Sequence, residues 1–569
     1  MRKRLEAVFL LVDRLRPSDW QRTLAWAAFV GFTGALATLA FRQGLVLVEH
    51  LLYGPAAGLV QAAEMLPWPR RLAAPAVGGA LAGLVLLLAR RLPRRSPHGD
   101  YMEAVVLGRG ELDTPASLLR AVSSACTVAS GGAIGREGPM VQLAALTGSL
   151  FAAWRDMPVP RRRLLVACAA AAGLTTAYGT PIAGALFIAE IVLQSLATAT
   201  LAPLLIASVT AHATVAALVG SASLYRMPDI PPQQGPQLLL AGALGLAAGL
   251  VAPLYLRLLD LAKRAFGAWH ASLPLKMAAG GLVVGALSIQ SPQVWGNGFS
   301  VVNSVLQGHW AWQALLLVLV LKLAAVAATT GSGAVGGIFT PTLFVGAVSG
   351  ALFALVTAGL PLAHLPVPAG AAIGMGAFLA ASTHAPLTSV LMIFEMTENY
   401  TVVAPLMLAC VLAYSVSRLL RPDSVYASSD HERAAADPRL AVAADLLHTG
   451  TPSVRPGQSL EQVELALLDS RWRHVYVVDA QGRFLGAISM HDLAARLKQP
   501  HDPAMPWPAD LLQADYPRLR QDMPLWGVLG VFERHAGERL PVIDVDGRLV
   551  GHLAKTDLVL MLRDRLAIS

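Results

Sequence analysis

A glycine-rich run, Ser130-Gly-Gly-Ala-Ile-Gly-Arg-Glu-Gly-Pro139, sets an arginine and a glutamate inside an otherwise apolar stretch. A charged pair in a region of membrane length is costly and marks function. The run opens a helical pattern, so backbone N–H groups and the positive end of the helix dipole face the loop. Such a loop holds an anion without a full counter-charge. About 200 residues later the pattern returns as Ser332-Gly-Ala-Val-Gly-Gly-Ile-Phe-Thr-Pro341. Two such helix ends, one from each half of the chain, predict an anion site in the middle of a membrane protein.

The composition agrees. Of 569 residues, 55% are hydrophobic and 14% charged, against about 25% charged in soluble domains. Fifty glycines and 37 prolines fit helices that break or pack closely within a bilayer. The net charge of +8 is no sign of a nucleic-acid partner, because the basic residues flank apolar segments: Arg2, Lys3, Arg4, Arg14, Arg16; Arg90, Arg91, Arg94, Arg95; Arg161 to Arg163. The positive-inside rule places these loops and the N-terminus in the cytosol. Residues 1–16 make a poor signal peptide, since Glu6 and Asp13 interrupt the apolar stretch. Cys126, Cys168 and Cys410 lack metal-ligand spacing and read as core.

Apolar segments run from 24–52 onward and include 181–220 and 386–420; many are punctuated by Gly or Pro, and several are shorter than the ~20 residues of a full span. Short helices that end within the membrane line buried or watery cavities. An internal repeat organises them. Gly135–Pro139 aligns with Gly337–Pro341 at an offset of 202, and Gly148–Ala152 with Gly350–Ala354 at the same offset. Pro181–Glu190 aligns with Pro386–Glu395 at an offset of 205. The repeats cover about 21–220 and 236–420, within a membrane domain of 21–426 that follows an N-terminal segment of 1–20. Residues 427–440 read as a polar linker. Beyond it the chain alternates helix and strand in two similar units, 441–500 and 503–569. Each has a turn between apolar runs, Gln481-Gly482 and Asp546-Gly547.

Gly135-Arg-Glu-Gly-Pro139 and Gly337-Ile-Phe-Thr-Pro341 together resemble the CLC family of chloride channels and anion/proton exchangers, and the tail resembles a tandem pair of CBS modules. The expected fold is an all-α polytopic membrane domain with two inverted repeats, followed by a cytosolic α/β pair. The resemblance implies a homodimer in the lipid bilayer, chloride as the bound substrate, a separate pathway in each subunit, and no required cofactor. A bacterial inner membrane with both termini cytosolic is the expected location. Glu137 corresponds to the gating glutamate, whose carboxylate sits where an anion would bind. Gly135, Arg136, Gly138, Gly337, Ile338 and Phe339 correspond to the anion-binding helix ends, and Tyr426 to the tyrosine that contacts the central anion. The family's Gly-Ser-Gly-Ile-Pro loop is replaced by Ser96-Pro-His-Gly-Asp-Tyr-Met-Glu103. Alignment through Glu103 puts Pro97 at the selectivity position, and a one-residue shift puts Ser96 there. Proline at that position resembles nitrate-preferring members, which leaves the preferred anion open.

Glu190 and its repeat twin Glu395 read as a structural pair that caps helix ends. Proton-coupled members carry a second glutamate after the first of these; here it is Ile191, which favours a channel over an exchanger. In the tail, Gly486-Ala-Ile-Ser489-Met-His-Asp492 resembles the signature that holds a ribose. The second module, with Ala554 and Asp557, lacks the hydroxyl. Ser489, Asp492 and Asp557 are therefore candidates for an adenine nucleotide. An enzyme is not expected: an intramembrane metalloprotease would need His-Glu-x-x-His, which the sequence lacks. A cation pathway would need acidic lining. A fluoride exporter fits poorly with Gly-Ile-Phe-Thr-Pro and the CBS tail.

Overall fold

The computed structural model describes residues 19–55, 58–92, 99–106, 108–220, 224–233, 235–308, 310–359, 364–426, 443–470, 472–498, 505–523, 525–535 and 537–558. Ser96, Pro97 and the 427–440 segment lie outside the described residues. The chain divides into two compact units, 1–428 and 429–569.

The first unit is helical. Its first repeat holds α1 (Asp19–Tyr53), α2 (Leu59–Met65), α3 (Trp68–Arg91), α4 (Tyr101–Val106), α5 (Thr114–Ala129), α6 (Glu137–Trp154), α7 (Val159–Tyr178), α8 (Pro181–Phe187, continued by a π-turn at Ile188–Val192) and α9 (Thr198–Val219). The second holds α10 (Pro236–Ala268), α11 (Leu273–Gln290), α12 (Phe299–Leu306), α13 (Trp312–Gly331), α14 (Phe339–Thr357), α15 (Val367–Thr383), α16 (Pro386–Thr397) and α17 (Val403–Leu420). Among the described residues, eight helices are long and apolar enough to cross a membrane. Others, such as α8 and α16, are too short, as expected of helices that end inside one.

Contacts follow a two-fold pattern. α6 packs on α7 as α14 packs on α15; α1 packs on α9 as α10 packs on α17; α3 meets α11, and α8 meets α16, each across the repeats. Small residues permit this. A methyl on Gly31 of α1 would lie 2.4 Å from the Ala207 carbonyl oxygen of α9, and one on Gly245 of α10 would lie 2.5 Å from that of Ala409 on α17. Backbones approach this closely only where one partner lacks a side chain. The apolar stretches 181–220 and 386–420 are each broken in two. Gln194 (φ 49°) and Glu398 (φ 51°) take the left-handed conformation, which ends a helix however apolar its flanks are.

The second unit contains two three-stranded sheets. β1 (Ser453–Val454), β2 (His474–Val478) and β3 (Phe484–Ser489) form one, with β4 (Leu519–Arg520), β5 (Arg539–Ile543) and β6 (Leu549–Ala554) in the other. In each, the first pair is parallel and the second antiparallel. Helices α18 (Leu460–Ser470) and α19 (Met490–Leu497) accompany the first sheet and α20 (Leu525–Arg534) the second. The modules repeat at 65 residues: His474 faces Ser489 as Arg539 faces Ala554. Each also receives one residue from ahead of the other. Gln513 bridges to Ala487, and His448 to His552, both antiparallel.

Candidate functional site

The two glycine motifs meet at their equivalent residues. Gly135 N–H donates to Gly337 O at 2.7 Å, and Gly337 N–H donates to Gly135 O at 2.9 Å. Two equivalent residues paired antiparallel imply a local two-fold axis through the bridge, as the inverted reading of the repeats requires. From this junction α6 and α14 begin, so both helix N-termini lie beside it.

Glu137, the first residue of α6, is buried at 5% exposure. Its carboxylate crosses to the other repeat: Oε1 accepts from Thr340 N–H at 3.0 Å and Oε2 from the Thr340 hydroxyl at 3.3 Å. Among the described residues, Arg136 makes no ion pair with Glu137, which rules out a simple buried salt bridge. The carboxylate fills the space between the bridged glycines. A Cβ on Gly135 would fall 2.1 Å from Glu137 Oε2, and one on Gly337 would fall 2.4 Å from Glu137 Cδ. A Cβ on Gly138 would meet Gly336 and Gly337 backbone at 3.2 Å. The glycines thus serve close packing and the carboxylate's seat together.

Thr340 and Tyr178 were missed in the sequence. Both the amide and the hydroxyl of Thr340 donate to Glu137. The Thr340 hydroxyl also lies 3.0 Å from the Tyr178 hydroxyl, across 162 residues. An aromatic cluster surrounds this group. Tyr178 and Phe339 have ring centroids 4.9 Å apart, Phe187 and Phe339 6.0 Å, and Phe187 and Tyr426 5.4 Å. Val425 N–H donates to Ser382 O at 2.8 Å, anchoring the Tyr426 segment to α15.

Glu190 and Glu395 act as reciprocal caps. Glu190 accepts from Leu387 N–H (3.4 Å), Thr388 N–H (2.8 Å) and the Thr388 hydroxyl (2.6 Å) at the start of α16. Glu395 accepts from Ile182 N–H (3.0 Å) and Ala183 N–H (2.7 Å) at the start of α8. First-turn N–H groups have no partner within their own helix, so each repeat satisfies the other. Glu395→Ala is expected to cost about 1–3 kcal/mol, the penalty for leaving such donors unpaired. Glu395→Gln, which keeps one acceptor, should recover part of that in thermal unfolding of the purified protein.

In the tail, both signature aspartates are held by the residue that arrives from ahead of the other module. Asp492 accepts from Gln513 Nε2 at 2.9 Å, and Asp557 lies 2.8 Å from His448 Nε2. Ser489 caps α19 by accepting from His491 N–H at 3.1 Å. His448 stacks on His552 with ring centroids 5.2 Å apart, and Trp472 lies edge-on to His552 at 4.3 Å. Burial, then His448 and Arg539, push His552 down to about 4. The unfolded chain therefore takes a proton near the ordinary histidine value of ~6.5, and the folded one does so only near 4. Module stability is expected to fall as pH drops through that window. Calorimetric scans of the full chain at pH 7.5 and 5 test this, and His552→Gln should flatten the difference.

Two repeats bridged at paired glycines, with a carboxylate seated at their helix N-termini, define a membrane protein built for anion passage. The chain belongs to the voltage-gated chloride channel (CLC) family, whose pattern it matches over residues 78–418, more than half its length. CBS domains match at 443–499 and 509–564. A ClcB-like chloride channel protein of Ralstonia nicotianae is 52% identical over 409 residues, covering 71% of this chain and 95% of that protein. The voltage-gated ClC-type chloride channel ClcB of Salmonella typhimurium is 43% identical, covering 71% and 98%. Among solved structures, a slow cyanobacterial Cl⁻/H⁺ antiporter aligns with TM-score 0.64 at 24% identity, covering 73% of this chain and 98% of that one. A eukaryotic CLC transporter aligns with TM-score 0.58 at 19% identity, covering 94% and 98%. The protein is thus a multi-pass membrane protein of an anion-transporting family, with a tandem CBS tail.

Proposed function

We propose that the chain conducts chloride, or a similar small monovalent anion such as nitrate, through a channel that the Glu137 carboxylate closes. The seating of that carboxylate on Thr340 N–H, at the junction of two helix N-termini, carries the reading. A carboxylate and a halide are alternative anions for the same donors. Tyr426, packed edge-on to Phe187, supplies the hydroxyl on the other side of the pathway. The names of the ClcB relatives agree with chloride as substrate. A bacterial inner membrane fits their sources, and cytosolic termini fit the basic segments at 1–16, 90–95 and 161–163. A homodimer is the proposed assembly. Adenine nucleotide is the proposed tail ligand, and it would displace Gln513 from Asp492.

Proton-coupled exchange is the second reading. The hydroxyl chain Tyr178–Thr340–Glu137 favours it, because it offers a proton a path away from the gate. Against it, Ile191 cannot ionise, and the neighbouring Glu190 carboxylate is committed to capping α16. Chloride gradients imposed across sealed proteoliposomes distinguish the two. Chloride movement without uphill proton movement is expected; proton uptake at a fixed ratio to chloride would make the protein an exchanger.

A further inference from the structure

Among the described residues, Lys322 is the one lysine or arginine that is fully buried, at 0% exposure. It lies in the middle of α13, and no carboxylate among the described residues pairs with it. Its ammonium instead lies 2.8 Å from Val294 O, 2.7 Å from Gly296 O and 3.5 Å from Trp295 O. An ammonium has three N–H donors, so this strap of three consecutive carbonyls uses its whole capacity. A buried cation with no counter-ion is retained at a cost, and the strap shows what the charge is fastened to.

The strap lies against the gate's own loop. Gly296 N–H donates to Gly131 O at 3.2 Å. Gly131 has φ +96°, and a Cβ there would strike the Trp295 ring at 2.5 Å. From Gly131 the chain needs only four residues to reach the Gly135–Gly337 bridge and two more to reach Glu137. On its other side Lys322 stands 5.4 Å over the Phe344 ring. Phe344 belongs to α14, whose first turn holds the Glu137 carboxylate. One ammonium therefore touches the support of the first glycine loop and the helix that opens from the second. The first repeat has a counterpart. Arg120, 202 residues earlier, brings Nη1 within 3.0 Å of where a Cβ on Gly99 would sit, just ahead of α4, as the strap lies just ahead of α12.

We infer that Lys322 is a positioning residue for the gate: it fastens the Val294–Gly296 strap beneath the Gly131–Gly135 loop and so fixes where the glycine bridge presents the Glu137 carboxylate. This rests on the reading of Glu137 as the gate. Loosening the strap weakens the seat of the carboxylate, which then competes less well with an entering anion.

The test is chloride efflux from proteoliposomes at sub-saturating chloride, with full-length Lys322→Met and Lys322→Arg, each alone and combined with Glu137→Ala. Lys322→Met alone is expected to raise efflux several-fold towards the Glu137→Ala level. Lys322→Arg, which keeps the charge and donors, should stay within twofold of the parent. In the Glu137→Ala background Lys322→Met should add less than a twofold change. Should Lys322→Met fail to yield a monodisperse protein, Lys322→Gln carries the same test, since it removes the ammonium while keeping a polar side chain in the buried position; a rise in efflux is again expected. An equal effect in both backgrounds, or none in a well-folded variant, overturns the inference while leaving the gate intact. Glu137→Ala efflux at the parent level would overturn the gating reading and this inference with it.

Discussion

Glu137→Ala is expected to raise anion efflux from proteoliposomes by about ten- to a hundredfold and to abolish its pH dependence. The carboxylate is held by a backbone N–H and a hydroxyl from Thr340, at 3.0 and 3.3 Å. Hydrogen bonds to a charged group are worth about 1.5–3 kcal/mol, and each ~1.4 kcal/mol is a factor of ten in occupancy. Removing the carboxylate hands those donors to the anion. In the parent, acid should raise flux, because a protonated Glu137 no longer competes as an anion. The alanine variant has nothing to titrate there and should give a flat profile. Parent-like flux with a parent-like pH response in Glu137→Ala would remove Glu137 from the gate.

The second large effect comes from a single methyl. In Gly337→Ala the added Cβ would lie 2.4 Å from Glu137 Cγ and Cδ. The obstructing atoms all belong to one flexible side chain and none to backbone, so the carboxylate moves and the backbone junction stays. Gly337→Ala is therefore expected to reproduce the high, pH-flat flux of Glu137→Ala with nearly unchanged thermal stability. Gly350→Ala provides the contrast. Its Cβ would meet the Gly370 carbonyl oxygen at 2.0 Å, where α14 crosses α15. Backbone cannot step aside, and overpacking of this kind costs about 1–3 kcal/mol or more. A Gly337→Ala protein that keeps its pH-dependent flux would show that the carboxylate does not occupy the space between the bridged glycines.

The glycine motifs were legible because their residues are conspicuous: an arginine and a glutamate among glycines, inside apolar sequence, are too costly to serve packing alone. The Glu190–Glu395 capping pair was legible from the repeat alone, since an acid kept at both equivalent positions serves both halves. Thr340 was not. A threonine between phenylalanine and proline reads as an ordinary helix start, and its partner lies 203 residues away. Tyr178 likewise closes its helix without any local sign of Thr340. The strap beneath Gly131 depends on three segments meeting in space. Lys322 itself did carry a signal, as a lone cation in the apolar run 312–331, and an intramembrane charge merits a functional reading by default. The breaks at Gln194 and Glu398 carry only a short polar trace, Gln194-Ser195 and Thr397-Glu398-Asn399, and residues other than glycine do not advertise a left-handed conformation.

The glycine bridge also bears on how such a chain could arise. The position equivalent to Glu137 is Phe339, and both bridged glycines turn their bare faces to the single carboxylate. A second acid at 339 would crowd a like charge into the same seat. An ancestral pair of identical half-length chains would have carried the acid on both sides of the dyad or on neither. Once the two copies are encoded independently, as the two halves of this chain are, one can keep glutamate while the other carries an aromatic ring. Independent coding of the two halves lets a near-symmetric backbone hold a single acid at its dyad; on the proposed reading of Glu137 as the gate, the two mouths of the pathway are unlike and its current is expected to rectify.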